Sequence, residues 1–306
     1  MNDAEFDSLF REAVSAIDAG DVSTLERLVG GHTRLVRNRL VSPGPWLRES
    51  VGDALEGFFQ QPYLLWFVAE DPVRNGKLPR NIAAVARTIV QLAQRDKVKS
   101  LQEQLDYALR LVCWSWIARD CGVQIELMDV LLDAGASPDG RTVYKGRFGT
   151  HTDAAIYNGN FAAAEHLLKR GAPLTFSTAL SLGRWNDVER LAQTATLGEK
   201  QDAFVQAALN GQAEALRRML AGGMNPTTVS AQNQSHGTAL HHAVWSGSLE
   251  AVKVLVEAGA DLNRRDTIYD ATPFGWARYG EQEQKDESRA RQYQAIAAYL
   301  RAKGGE

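Results

Sequence analysis

The chain has 306 residues, of which 44% are hydrophobic and 23% charged, a composition that fits a folded protein with a large buried core. A formal net charge of -3 argues against a nucleic-acid polyanion as partner. No apolar run reaches the roughly 20 residues that a membrane-spanning helix needs. The acidic start Met1-Asn2-Asp3-Ala4-Glu5 lacks the apolar region of a signal peptide, so a cytoplasmic location is expected.

Residues 3–19 read as a helix with Phe6, Leu9, Phe10, Ala13 and Ile17 on one face. Gly20-Asp21 turns the chain, 22–29 reads as a second helix, and Gly30-Gly31 ends it. Between Arg27 and Arg48 there is no acidic residue, while Arg27, Arg34, Arg37, Arg39 and Arg48 are basic. Such a run is either a solvated face or a patch for an acidic partner. Ser42-Pro43-Gly44-Pro45 breaks structure and opens an insertion to Phe59, with a short helix expected over 49–59. Residues 63–69 read as a first helix, 71–79 as a lengthened turn, and 82–92 as the partner helix.

A long helix is expected over 101–120, with Cys113 and Cys121 on it. Eight residues along a helix is about 12 Å, too far for a disulfide, so two buried, reduced thiols are expected. Gly122 turns into a helix over 125–132, closed by Asp133-Ala134-Gly135-Ala136. Gly146-Arg147-Phe148-Gly149 is loop chemistry, too weak a pattern for a phosphate site. Further pairs turn at Gly159, Gly183, Gly211, Gly247 and Gly280. From Gly122 these glycines lie 37, 24, 28, 36 and 33 residues apart. The last pair carries a charged turn from Glu281 to Arg291 and a final helix over 293–302.

One stretch is the most regular. In 237–263, Gly-Thr-Ala-Leu-His-His-Ala-Val-Trp-Ser-Gly leads to an apolar stripe of Leu249, Val252, Leu255 and Val256, then Gly259-Ala260-Asp261-Leu262-Asn263. It resembles one ankyrin repeat, whose signature begins T-P-L-H-x-A and whose period is about 33 residues. The resemblance is to ankyrin-repeat proteins of the bacterial type. It implies an all-α solenoid of about eight stacked helix–turn–helix units, with the N-terminal units degenerate and interrupted by insertions. It divides the chain into 1–126, a helical cap with degenerate repeats, and 127–306, regular repeats with a capping helix. One pair cannot bury its own apolar face, so neighbours are required.

The resemblance also implies binding of an unidentified protein by a monomer, through the concave face. The two residues before each turn glycine would face the partner. That ladder is acidic at Asp18, Glu70, Asp71 and Asp120, and aromatic toward the C-terminus. Tyr157, Asn158, Trp245, Arg264, Arg265, Arg278 and Tyr279 are the expected contact residues, since aromatic and Arg side chains anchor interfaces. His241 stands at the repeat histidine, where the imidazole ties a loop to its helix. Asp153 holds the same position in the unit beginning Thr150-His151-Thr152, and is expected to bond the helix start. Neither metal nor cofactor is expected, because adjacent His241 and His242 point about 100° apart on a helix. The alternative is an enzyme or small-molecule receptor whose groove uses His151, Asp153, Tyr157, His242 and Trp245.

Overall fold

The computed structural model describes residues 2–69, 76–144, 147–230 and 236–306. The chain forms two compact units, Met1–Pro173 and Leu174–Glu306. This is a division by packing, whereas the sequence boundary at 126/127 concerns the regularity of the repeats.

In the first unit the helices are α1 (Asp3–Ala19), α2 (Val22–Gly31), α3 (Arg34–Arg37), α4 (Pro45–Val51), α5 (Ile82–Arg95), α6 (Leu101–Trp114), α7 (Trp116–Asp120), α8 (Gln124–Asp133), α9 (His151–Tyr157) and α10 (Phe161–Lys169). Two 3₁₀ turns occupy Gly52–Glu56 and Leu64–Val68. An antiparallel hairpin pairs β1 (Arg141–Tyr144) with β2 (Arg147–Thr150), directly before α9. First helices stack as one row, with α1 on the Leu64–Val68 turn, that turn on α6, and α6 on α9. Second helices stack as another, with α2 on α5, α5 on α8, and α8 on α10.

The second unit repeats the scheme with α11 (Phe176–Ser181), α12 (Trp185–Ala192), α13 (Leu197–Leu209), α14 (Ala213–Ala221), α15 (Ala239–Ser246), α16 (Leu249–Glu257), α17 (Pro273–Glu283) and α18 (Glu287–Ala302). Its rows are α11, α13, α15, α17 and α14, α16, α18. Among the described residues this makes eight helix pairs, counting the Leu64–Val68 turn as a first helix. The fold is an all-α repeat solenoid. Its interior in the second unit holds Phe204, Leu216, Leu240, Val244, Val252, Leu255, Ile296 and Leu300.

Three local rules generate the pairs. First helices from α9 onward all start on a threonine cap, at Thr150, Thr175, Thr196, Thr238 and Thr272. The turn glycines Gly20, Gly122, Gly159, Gly183, Gly211 and Gly247 all have φ between +65° and +76°, the left-handed conformation that a Cβ disfavours. Four residues before each stands a buried alanine: Ala16, Ala118, Ala155, Ala179, Ala207 and Ala243. At Ala155, Ala179 and Ala207 its carbonyl accepts the N–H just past the glycine, and the small side chain lets the helices approach closely.

The structure corrects several sequence expectations. The long helix over 101–120 breaks at Ser115, whose backbone is extended. The freed carbonyls are not orphaned. Gln124 Nε2 donates to Val112 O at 2.9 Å and Ser115 O at 3.1 Å, Asn160 Nδ2 to Cys113 O at 2.8 Å, and Asn158 Nδ2 to Trp114 O at 2.7 Å. Cys113 is buried as expected, but Cys121 is exposed, because it ends α7 on the outside of the turn. Burial pushes the Cys113 thiol's pKa up.

Gly280 is no turn glycine. It lies inside α17 without positive φ, and its missing Cβ makes room for the Tyr293 ring, which would stand 2.6 Å from such an atom. The final helix begins at Glu287 and not at Tyr293. In the insertion the helix lies earlier, at Pro45–Val51, followed by a 3₁₀ turn and not a helix over 49–59. Residues 64–68 form a 3₁₀ turn held by aromatic packing, with Phe67 edge-on to Phe10 and Phe59, and Trp66 edge-on to Tyr63. The expectation of a lengthened turn over 71–79 falls largely outside the described residues, as do Glu70 and Asp71 of the acidic ladder and Gly146.

Candidate partner-binding site

The second unit carries a ring cluster built on one short loop. Asp266 organises it. Its Oδ1 accepts the N–H groups of Ile268 at 2.9 Å and Tyr269 at 2.7 Å. Its Oδ2 accepts Ala271 N–H at 3.1 Å and the Trp276 indole N–H at 2.9 Å. Burial alone would raise the carboxyl's pKa. These four hydrogen bonds outweigh it and hold the group down at about 2. The loop is thus folded around a permanent carboxylate, and Trp276 is locked to it.

His241 fixes the same loop from α15. Its Nε2 lies 3.1 Å from Ala271 O and its Nδ1 lies 3.1 Å from Thr238 N. Donation to the carbonyl from Nε2 leaves Nδ1 as the acceptor from Thr238, so the ring is the neutral Nε2–H tautomer. Burial lowers its pKa and keeps it neutral. The repeat-histidine role expected from the sequence is therefore what the geometry shows. Asp153 does the parallel work at α9, accepting Thr150 N–H at 2.9 Å while Thr150 Oγ1 accepts Asp153 N–H at 3.1 Å.

Four rings surround Trp276. His236 stacks on it at 5.6 Å and 28°. His241, His242 and Trp245 meet it edge-on at 5.1, 5.8 and 6.0 Å. His236 in turn meets Tyr269 at 6.4 Å. Behind the cluster, the Tyr293 hydroxyl donates to Trp245 O at 2.8 Å and fixes the end of α15. His242 is buried in this cluster, where it packs against two rings.

The residues expected at a partner surface divide between the units. Trp245, Arg264, Arg265, Arg278 and Tyr279 belong to the second, Tyr157 and Asn158 to the first. Trp245 and Tyr279 are exposed. Arg264 is exposed, Arg265 bonds Asp270 through its backbone carbonyl and carboxylate, and Arg278 pairs with Glu281 at 2.6 Å. Asn158 spends its side chain on Trp114 O, as described above. Ile268, Tyr269 and the organising role of Asp266 escaped the sequence reading. The only local signal is Asp266 itself, since Asp favours turns in which its side chain accepts nearby backbone N–H groups.

Of the residues named for the alternative groove, His151 is fully buried and Asp153 is engaged in its helix cap. Among the described residues no group of three His, Cys, Asp or Glu is placed to hold a metal ion, and no helix is long and apolar enough to cross a membrane.

Comparison with known families matches residues 152–266 to a model of ankyrin repeats in three copies. A comparison with curated proteins returns no match. Among solved structures, the human ASB11 ankyrin repeat domain is similar at 18% identity, covering 72% of this chain and 97% of that chain with a TM-score of 0.35. Residues 152–266 are therefore ankyrin repeats.

Proposed function

We propose that this protein binds a protein partner through the first-helix and loop side of its second unit, the face that is concave in ankyrin arrays. Ankyrin repeats are in general protein-interaction modules. The observation that carries the finer reading is where the exposed large apolar side chains lie. Trp245 is 43% exposed, Ile268 63%, Tyr269 71% and Tyr279 56%, on α15, on the loop from α16 to α17, and on α17. A folded chain that leaves such side chains together in water marks an interaction site. The loop beneath them is rigid, because Asp266 and His241 hold its backbone, so little ordering entropy opposes binding. Arg264 adds a rim cation.

The test replaces Trp245, Tyr269 and Tyr279 together by alanine and compares capture of binding proteins with that of the native chain. All three side chains are at least 43% exposed, so thermal unfolding should move by only a few degrees. Capture should be lost. Undiminished capture, or a collapse of stability showing these rings to be core, refutes the assignment.

A further inference from the structure

In the first unit, the basic run between Arg27 and Arg48 is mostly neutralised. Arg27 pairs with Glu12 at 3.2 Å, Arg48 with Glu56 at 2.5 Å, and Arg39 with Glu103 while lying over the rings of Tyr63 and Trp66. Arg34 lies over Phe6. Arg37 is different. Its guanidinium donates to a backbone carbonyl, Asp96 O at 3.2 Å, and meets no carboxylate among the described residues.

Arg37 lines an open cavity of about 420 Å³ together with Tyr63, Asp96, Lys97, Val98, Lys99 and Ser100. Lys97 and Lys99 are exposed and form no ion pair among the described residues. Three cations and one carboxylate therefore share a single concavity, leaving an excess of two positive charges. Ser100 stands at the N-terminal end of α6 and Asp96 at the C-terminal end of α5, so the two helix dipoles oppose at this wall and the side-chain cations set its sign.

The backbone shows that a lysine here is not a default choice. Lys97 has φ +51°. The N–H after it, that of Val98, bonds Ala93 O at 3.0 Å. The same closure ends other second helices, at Ala136 to Leu131, Ala172 to Leu167, Met224 to Met219 and Ala260 to Leu255. There the left-handed residue is glycine each time: Gly135, Gly171, Gly223 and Gly259. A side chain in that conformation is unfavourable by roughly 1 kcal/mol relative to glycine. At this helix end alone among those five, the strained position carries a cation, and it faces the cavity.

We propose that this cavity binds a small phosphomonoester. A phosphomonoester carries about -1.5 to -2 charges at neutral pH, which matches the excess of two. The volume exceeds a bare phosphate and falls in the range of small-ligand pockets, so an organic body fits beside Val98 and Tyr63. Arg37, Lys97 and Lys99 hold the oxyanion.

Isothermal titration calorimetry of the full chain at low salt tests this with inorganic phosphate, adenosine 5′-monophosphate and adenosine as probes. The monophosphate should bind saturably, phosphate more weakly, and adenosine not at all. Arg37→Gln with Lys99→Gln should weaken the monophosphate at least tenfold. Lys97→Gly should weaken it about fivefold while raising the thermal midpoint by about 2 °C, since the substitution removes both the charge and the strain. No saturable binding of either anion overturns the proposal. So does equal binding of adenosine, or affinity that all three substitutions leave unchanged.

Discussion

His151 shows how one residue can set the pH range of a fold. It opens α9, fully buried, and its ring lies where a Cβ on Gly140 would collide with it. Burial and then the nearby Arg110 charge lower its pKa from 6.5 to about 4, opposed weakly by Asp106 and the Ser137 backbone. Because the folded pKa is the lower one, the stability is complete above about pH 6.5. It is lost as pH falls through the window from about 6.5 to about 4, where the unfolded chain takes up the proton first. The full loss is about 3 kcal/mol, from 1.36 kcal/mol per unit. Urea unfolding of the native chain should therefore weaken between pH 7 and pH 4.5 by more than that of His151→Leu. Parallel pH profiles for the two proteins would show that the buried imidazole is not the titrating group.

At the scale of elements, pairs are stitched by the residue that follows three of the turn glycines, Gly159, Gly211 and Gly247. Asn160 reaches Cys113 O, Gln212 Nε2 reaches Ser181 O at 2.7 Å, and Ser248 Oγ reaches Gly211 O at 3.3 Å. Asn160 is buried and bonds at the broken helix end, so Asn160→Ala would leave Cys113 O without that donor. The expected loss is about 2 kcal/mol in chemical denaturation, against under 0.5 kcal/mol for an exposed position such as Glu126→Ala. A loss no larger at Asn160 than at Glu126 would count against the stitch. These elements also show what a sequence discloses. The turn glycines, threonine caps and apolar stripes are local, so the regular pairs were legible, and the alanine four residues before each glycine was an unread signal. The break at Ser115 was not legible, since the amides that make it tolerable come from Gln124, Asn158 and Asn160, distant in sequence. The Leu64–Val68 turn is set by aromatic packing with Phe10 and Phe59, which leaves no helical period to read. The candidate site was half legible. Trp245 was reached from its place before the turn glycine Gly247, but Tyr279 was reached from Gly280, which is no turn glycine, and the ring contacts that converge on Trp276 exist only once α15 and α17 are side by side.

At the scale of the whole molecule, the two units carry different features. The first holds the buried His151 and the basic cavity, and the second presents exposed aromatic side chains on a loop whose backbone is pinned. The central claim is that the second unit meets its partner on the first-helix and loop side. Amide hydrogen exchange of the chain, free and bound to a captured partner, tests it most directly. The claim predicts slowed exchange in 264–271 and at the ends of α15 and α17, with α16 and α18 unchanged. Slowed exchange confined to α14, α16 and α18 would place the partner on the second-helix row and contradict it.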